Sequence, residues 1–163
     1  MSENTTSHDV IITTAFLKPG DEVDTLLRGA GLTTRHEPNL AAYSEVDRRA
    51  ILASTRAIIA GTQPLTANDL ASAPNLQIVV RTGVGYDSVD VEAATIQGVP
   101  VCVTAGDNRQ AVAEHVFALM LGVARRVPEN VTNLRAGTWQ QLTGRELRGA
   151  TLGVLGLGSI GKA

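Results

Sequence analysis

The stretch LQIVVRTGVGYDSVDVEAATIQGVPVCVT, residues 76–104, predicts a strand, a glycine turn, a helix and a second strand. Its apolar runs IVV and VCV are rich in β-branched residues, and turn residues bound them. Asp90 is a suitable N-cap for a helix to Gln97, and Glu92 lies in the first turn, where the helix dipole favours an acid. Strands joined by a helix pair in parallel, so this stretch predicts an α/β fold.

The preceding residues repeat the same alternation. Further strands are predicted within residues 9–16, 33–38 and 56–61, and helices over residues 21–30, 44–53 and 66–71. On the first two helices we expect these apolar residues to face inward: Val23, Leu26, Leu27, Val46, Ala50 and Ile51. Five strands alternating with helices predict a flavodoxin-like, doubly wound parallel sheet over residues 1–105, which binds ligands beyond the carboxyl ends of its strands.

The pattern changes after Thr104. Apolar residues at spacings of three and four predict a long helix over residues 107–126, and Asp107 with Gln110 resembles a capping box. A second helix is predicted over residues 129–136 and ends at Gly137. Residues 106–150 therefore form bridging helices and a linker between two domains.

The run TLGVLGLGSIG, residues 151–161, predicts a strand followed by a glycine loop with the spacing G-x-G-x-x-G. Gly156 allows a tight turn, Gly158 lets the backbone approach a diphosphate, and Gly161 permits close packing. A purely structural turn is the alternative. Gly156 to Lys162 also matches most of a triphosphate-binding loop, but Ala163 stands where that motif needs Ser or Thr.

The turn RTGVGYDSVD, residues 81–90, is a second candidate site. Gly83 and Gly85 permit positive φ, and the bare amides of Val84 and Gly85 then point into a cleft, where they hold an anion such as a carboxylate. A tight turn without a ligand is the alternative.

Composition narrows the function classes. The net charge is −2 and aromatic residues make up 3% of the chain, which argues against a nucleic-acid partner. No apolar run is long enough to cross a membrane, and no secretory signal begins the chain. One cysteine and three histidines offer no metal-ligand spacing and no internal disulfide, so we expect no metal and a cytoplasmic location.

Together these stretches resemble the D-isomer-specific 2-hydroxyacid dehydrogenase family, within which RTGVGYDSVD looks most like the phosphoglycerate dehydrogenases. The resemblance runs through NRQAVAEHVFALMLGVARR, RAGTWQ and GRELRGATLGVLGLGSIGKA, and is close from Gln77 onward. It implies an NAD-dependent oxidoreductase, with NADP not excluded, that acts on a small 2-hydroxy or 2-oxo acid and forms a homodimer when full length.

The resemblance also implies roles for individual residues. The amides of Val84 and Gly85 hold the substrate carboxylate, Asn108 faces the substrate, and Arg81 meets a substrate phosphate. Pairing of Arg81 with Asp87 or with solvent is the alternative. The cofactor diphosphate lies against the second glycine motif, that is, Gly156, Gly158, Ser159, Ile160 and Gly161.

The family's catalytic arginine, glutamate and histidine follow the glycine motif and are absent from these 163 residues. We therefore expect an inactive N-terminal fragment that ends in the first strand and glycine loop of a truncated NAD-binding domain, residues 151–163. A non-catalytic ligand-binding or regulatory protein on the same scaffold is the alternative, and a stand-alone flavodoxin-like domain with a helical tail is a third.

Two reactive side chains are given no chemical role. His115 follows Asn108 by seven residues on one helix face but lacks an acid at catalytic spacing, so a structural or interface role is expected. Cys102 alternates with valines in a strand, which predicts a small buried apolar residue rather than a nucleophile.

Overall fold

The computed structural model describes residues 8–163. Contacts between residues divide the chain into two compact units, one that ends at Ala105 and one from Gly106 to Ala163.

The first unit is built on five short parallel strands in the order β2-β1-β3-β4-β5. They are β1 Val10–Ile12, β2 Thr34–His36, β3 Ala57–Ala60, β4 Ile78–Arg81 and β5 Val101–Val103. The pairing between neighbouring strands has a defined register: Val10 pairs with Thr34 on one side and Ala57 on the other, and Val80 pairs with Cys102. This order confirms the flavodoxin-like, doubly wound sheet that the alternating pattern predicts.

Four helices connect these strands, and each begins at a polar cap. They are α1 Glu22–Gly29, α2 Glu45–Leu52, α3 Ala67–Ala71 and α4 Val91–Ile96, with a short 3-10 helix at Leu40–Ala42. The caps are Asp21, Ser44, Thr66 and Asp90, whose side chains each accept from the third backbone amide that follows. These bonds satisfy amides that a helix start leaves unpaired, and they confirm the predicted N-cap at Asp90.

The core of the first unit lies on the sheet, in residues such as Ile11, Leu52, Ile58, Leu70 and Val79, each at most 1% exposed. The expected inward faces of the first two helices are partly wrong. Leu26, Val46 and Ala50 are exposed, whereas the buried positions of these helices are Asp24, Ile51 and Leu52. In helices this short, packing against the sheet determines which side of the helix is buried.

Cys102 is also exposed, against the expectation of a buried thiol. It lies on β5, an edge strand of the sheet, where one side of the ladder has no neighbouring strand. An apolar alternation in sequence does not distinguish an edge strand from a central one.

The second unit contains α5 Arg109–Ala124 and α6 Val127–Arg135, and Gly137 follows α6 with a φ of +72°. Helix α5 is shorter than predicted. Its N-cap is Asn108, which makes no side-chain capping bond, so the predicted capping box of Asp107 and Gln110 is not formed. The Gln110 side chain donates instead to Glu114, at 3.1 Å.

The predicted strand at residues 151–156 is absent, and the glycine motif after it forms turns. A strand needs a neighbour to complete its ladder. Residues 106–163 contain no other strand that could provide one.

Apolar side chains of the second unit are largely exposed. Ala113 is its only buried residue, whereas Phe117, Leu119, Val123 and Leu155 are all more than half exposed. No helix within residues 8–163 combines the length and the apolar character that a membrane crossing requires.

Candidate active site

The turn that follows β4 is fixed on both sides by its neighbouring strands. The amide and the hydroxyl of Thr82 both donate to the carbonyl of Ala60, at 3.0 and 3.1 Å. The carbonyl of Gly83 accepts from the amide of Thr104, at 3.2 Å, just beyond β5. The turn therefore has a defined position at the carboxyl edge of the sheet, where doubly wound folds bind ligands.

Beyond Gly83 the backbone offers unused donors. Val84 is 53% exposed, Gly85 is exposed, and neither amide donates a hydrogen bond to any residue in the described part of the chain. Two successive exposed N–H groups can bind a carboxylate oxygen. This is the chemistry that the sequence predicts for the turn, and we name residues 82–86 the acid-binding turn.

The expected reason for the glycines is wrong, because neither Gly83 nor Gly85 has a positive φ. Gly83 instead lies close to the side chain of Arg81. A Cβ on Gly83 would lie 3.1 Å from Nη1 of Arg81, which is closer than ordinary van der Waals contact. The arginine side chain thus folds back beneath its own turn.

Arg81 makes no ion pair with any residue of the described chain, so the alternative pairing with Asp87 is not observed. Its Nε is buried without a hydrogen-bond partner among these residues. The guanidinium is consequently a cation next to the acid-binding turn that forms no ion pair with the described residues, and a guanidinium favours anions. The Asp87 carboxylate is also near the turn, because its Oδ2 lies 3.7 Å from where a Cβ on Gly85 would stand.

Asn108 and the second glycine motif belong to the second unit. The side chain of Asn108 makes no capping bond to α5, which leaves its amide available to other groups. How these residues face Arg81, Val84 and Gly85 stays a prediction.

The backbone of the second glycine motif is open to a phosphate group. Gly156 has a φ of +90°, and a Cβ on Gly161 would collide with the carbonyl oxygen of Gly156, so both positions require glycine. A Cβ on Gly158 would meet nothing within 4 Å, so its backbone can be approached closely. Ser159 and Ile160 are exposed beside it. Residues 159–162 form turns.

An apolar groove of about 370 Å³ adjoins this loop. Its walls come from α5, through Ala113, Val116, Phe117 and Met120, and from the residues around Leu155 and Ile160. The groove lies entirely within the second unit.

His115 is exposed on α5, and its neighbour Glu114 is engaged by Gln110. Across residues 8–163 no three His, Cys, Asp or Glu side chains gather in a way that could hold a metal ion.

Sequence reasoning missed the loop between β3 and α3. Leu65 pairs with Val89 in an isolated parallel bridge, with its amide donating to Ser88 at 2.7 Å and its carbonyl accepting from Asp90 at 3.0 Å. Gln63, two residues earlier, bonds to the loops that follow β1 and β2. The segment GTQP carries no motif from which these bonds could have been expected.

The sheet order defines a doubly wound α/β protein, with a candidate ligand site in the turn after β4. Residues 19–152 match the family model described as D-isomer specific 2-hydroxyacid dehydrogenase, catalytic domain. The chain therefore belongs to the D-isomer specific 2-hydroxyacid dehydrogenase family, and the predicted resemblance is confirmed.

Individual relatives agree with this assignment. D-3-phosphoglycerate dehydrogenase of Mycobacterium bovis is 42% identical over 125 residues, which are 76% of this chain and 22% of that protein. Hydroxypyruvate reductase of Thermotoga maritima is 36% identical over 107 residues, 64% of this chain and 35% of the relative. The chain thus spans about a fifth to a third of the length of these relatives.

Solved structures share the fold. The TT0316 protein from Thermus thermophilus superposes with a TM-score of 0.79 at 28% identity, covering 94% of this chain and 50% of that one. The phosphoglycerate oxidoreductase from Vibrio cholerae has a TM-score of 0.72 at 28% identity, covering 95% and 50%. An NADPH-dependent glyoxylate/hydroxypyruvate reductase from Sinorhizobium meliloti, solved with NADP and malonate, has a TM-score of 0.67 at 29% identity and covers 96% and 48%.

Proposed function

We propose that this chain supplies the acid-binding part of an NAD(P)-dependent oxidoreductase that acts on the CH–OH group of a D-2-hydroxy acid, with a phosphoglycerate-like substrate. The observation that carries the proposal is that Val84 and Gly85 are exposed residues whose amides have no acceptor in the described part of the chain. They follow a central strand at the ligand-binding edge of the sheet. Family membership supplies the reaction class.

In this reaction the turn orients the substrate. Two amides on one carboxylate oxygen fix the acid group, so that the neighbouring C2 has a defined position. Arg81 adds a positive charge beside the turn, which favours a substrate with a second anionic group such as a phosphate. Asn108, whose side chain is free of capping, is a further polar contact for the substrate.

The nicotinamide cofactor, when bound, exchanges a hydride with C2 of the substrate. Residues of the second glycine motif hold its diphosphate through the backbone around Gly158, where a side chain would obstruct the approach. NAD is proposed as the cofactor. NADP is an alternative, because the reductase from Sinorhizobium meliloti was solved with NADP.

For the 163-residue chain alone we expect no turnover. None of the described histidines lies in the acid-binding turn: His8 bonds to the carbonyl of Ile51, His36 is in β2 and His115 is on α5. The resemblance places the catalytic arginine, glutamate and histidine after the glycine motif. A homodimer of the complete enzyme is part of the same proposal.

The proposal is tested by titrating the ¹⁵N-labelled chain with D-3-phosphoglycerate, D-glycerate and glycerol. We expect both acids, but not glycerol, to shift the amide resonances of Val84 and Gly85. Arg81→Met should weaken the binding of D-3-phosphoglycerate about tenfold and that of D-glycerate less, because a hydrogen bond to a charged group contributes about 1.5–3 kcal/mol. Val84→Ala, which keeps the backbone amide, is the matched control. Equal shifts from all three compounds would contradict the proposal.

A ligand-binding or regulatory protein on the same scaffold is the second candidate, since fold does not fix function. The natural coding sequence decides between the two. An arginine, a glutamate and a histidine after the glycine motif favour the enzyme, and other residues in those places favour the binding protein.

A further inference from the structure

The crevice between β1 and β3 is where the strand order reverses in this sheet, and doubly wound folds of this order place ligands there. Here it is closed. The amide of Gly61 donates to the hydroxyl of Thr13 at 3.0 Å, and a Cβ on Gly61 would lie 2.9 Å from Cα of Thr14. The remaining cavity, lined by Thr13, Gln63 and Leu65 among others, holds only about 10 Å³.

Gln63 forms the cover of this crevice. Its Nε2 donates to the carbonyls of Pro38 and Thr13, the latter at 3.4 Å, and its Oε1 accepts from the amide of Ala41 at 2.8 Å. One side chain thus connects the segments that follow β1, β2 and β3. The residue is half-buried: its bond to Thr13 is partly buried, whereas its bonds to Pro38 and Ala41 are exposed.

The same loop continues to the acid-binding turn. Two residues after Gln63, Leu65 forms the parallel bridge with Val89, and both side chains are at most 5% exposed. The bridge bonds run from Leu65 to Ser88 and from Asp90 to Leu65. The loop is therefore hydrogen-bonded at one end to the segments that follow β1 and β2, and at the other end to Ser88 and Asp90, a few residues after Val84 and Gly85.

We propose that Gln63 is a positioning residue. Its side-chain amide closes the crevice between β1 and β3 and, through the Leu65–Val89 bridge, fixes the position of the acid-binding turn relative to the sheet. Gln63 does not itself touch the substrate. The expected effect on ligand affinity rests on the proposed function. The expected coupling between Gln63 and the Leu65–Val89 bridge does not depend on it.

The test compares Gln63→Met, which keeps the length of the side chain but removes its hydrogen bonds, with the control Gln77→Met. Gln77 is exposed, and its side chain has no bond to another described residue. Amide hydrogen exchange of the 163-residue chain is measured at Leu65 and Asp90 and, for reference, within β3. We expect Gln63→Met to speed exchange at Leu65 and Asp90 about tenfold more than within β3, and Gln77→Met to leave all of them unchanged.

A merely structural role would speed all of these amides by the same factor, through loss of global stability, and that result would overturn the proposal. So would unchanged exchange at Leu65 and Asp90. Where Gln63→Met does not fold, Gln63→Glu replaces it, since it keeps the acceptor for Ala41 and loses the donors. In the variant used, D-glycerate should bind about threefold or more weakly at Val84 and Gly85. If the unsubstituted chain does not bind D-glycerate, the proposed function fails, while the exchange data still decide the role of Gln63.

Discussion

The two units of this chain use apolar residues in opposite ways. The first covers a five-stranded sheet with short helices and buries Ile11, Leu52, Leu70 and Val79 completely. The second has an apolar 16-residue helix, yet Ala113 is its only buried residue. Apolar sequence therefore does not by itself make a core. A core also requires a second layer on which the apolar face can pack.

The sharpest test of this difference is a pair of leucines. Leu52→Ala removes a fully buried side chain from the first unit and should lower the free energy of unfolding by about 2–5 kcal/mol. Leu134→Ala truncates a side chain that is 55% exposed on α6, and it should change the free energy of unfolding by less than about 0.5 kcal/mol. Urea unfolding followed by circular dichroism measures both. Similar losses in the two variants would mean that the second unit has a core of its own.

Backbone packing at the edge of the first unit gives the next largest effect. Gly61→Ala places a Cβ 2.9 Å from Cα of Thr14, where neither backbone can move freely, and should cost about 1–3 kcal/mol. The control is Gly29→Ala at the end of α1, where a Cβ meets nothing within 4 Å. That variant should be neutral or slightly stabilising, because alanine favours helices. Thermal unfolding of both proteins would detect the contrast, and a neutral Gly61→Ala would refute it.

The exposed face of α5 predicts self-association of the 163-residue chain. Val123 is 74% exposed and Leu119 is 55% exposed, so association removes their apolar surface from water. Val123→Lys should weaken association about fivefold, equivalent to roughly 1 kcal/mol of lost apolar burial. Sedimentation velocity at several concentrations measures this. A chain that sediments as a monomer at all of them contradicts the prediction.

The most pH-dependent effect concerns a buried acid of the first unit. The hydrogen bond from the Thr34 hydroxyl, then the amide of Gly20 and then Arg28, lower the pKa of Asp24 from 3.8 to about 2. Because the folded pKa lies below the unfolded one, the carboxylate stabilises the fold above about pH 4, and this contribution is lost as the pH falls towards 2.

Asp24→Asn should therefore flatten the fall in stability between pH 4 and pH 2, and should lower stability at pH 7. Glu22→Gln, an exposed acid in the same helical turn, is the matched control. Unfolding midpoints measured across that pH range test the prediction. If the stability of Asp24→Asn fell between pH 4 and pH 2 as steeply as that of the unsubstituted chain, other groups would govern acid unfolding.

The sequence predicts most of the first unit, because short β-branched runs and polar caps such as Thr66 and Asp90 are local signals. It predicts the faces of α1 and α2 poorly, since the buried Asp24 accepts a hydrogen bond from Thr34 in the next strand, β2, which the helix pattern alone does not indicate. The predicted strand before Gly156 fails because pairing is not a local property. At the candidate site the sequence predicts the unbonded amides of Val84 and Gly85, but the positive φ from which it predicts them is not observed. The approach of the Arg81 side chain to Gly83 depends on the local side-chain conformation, and the bonds of Gln63 arise from tertiary packing; no motif encodes either.

The exposed thiol of Cys102 makes the first unit convenient to observe. It is the only cysteine of the chain, and it lies two residues before Thr104, whose amide bonds to Gly83. A maleimide fluorophore or spin label attached there would occupy a single known place on β5, the strand that leads to Thr104. Ligand binding could then be followed in real time without engineering any further reactive group into the protein.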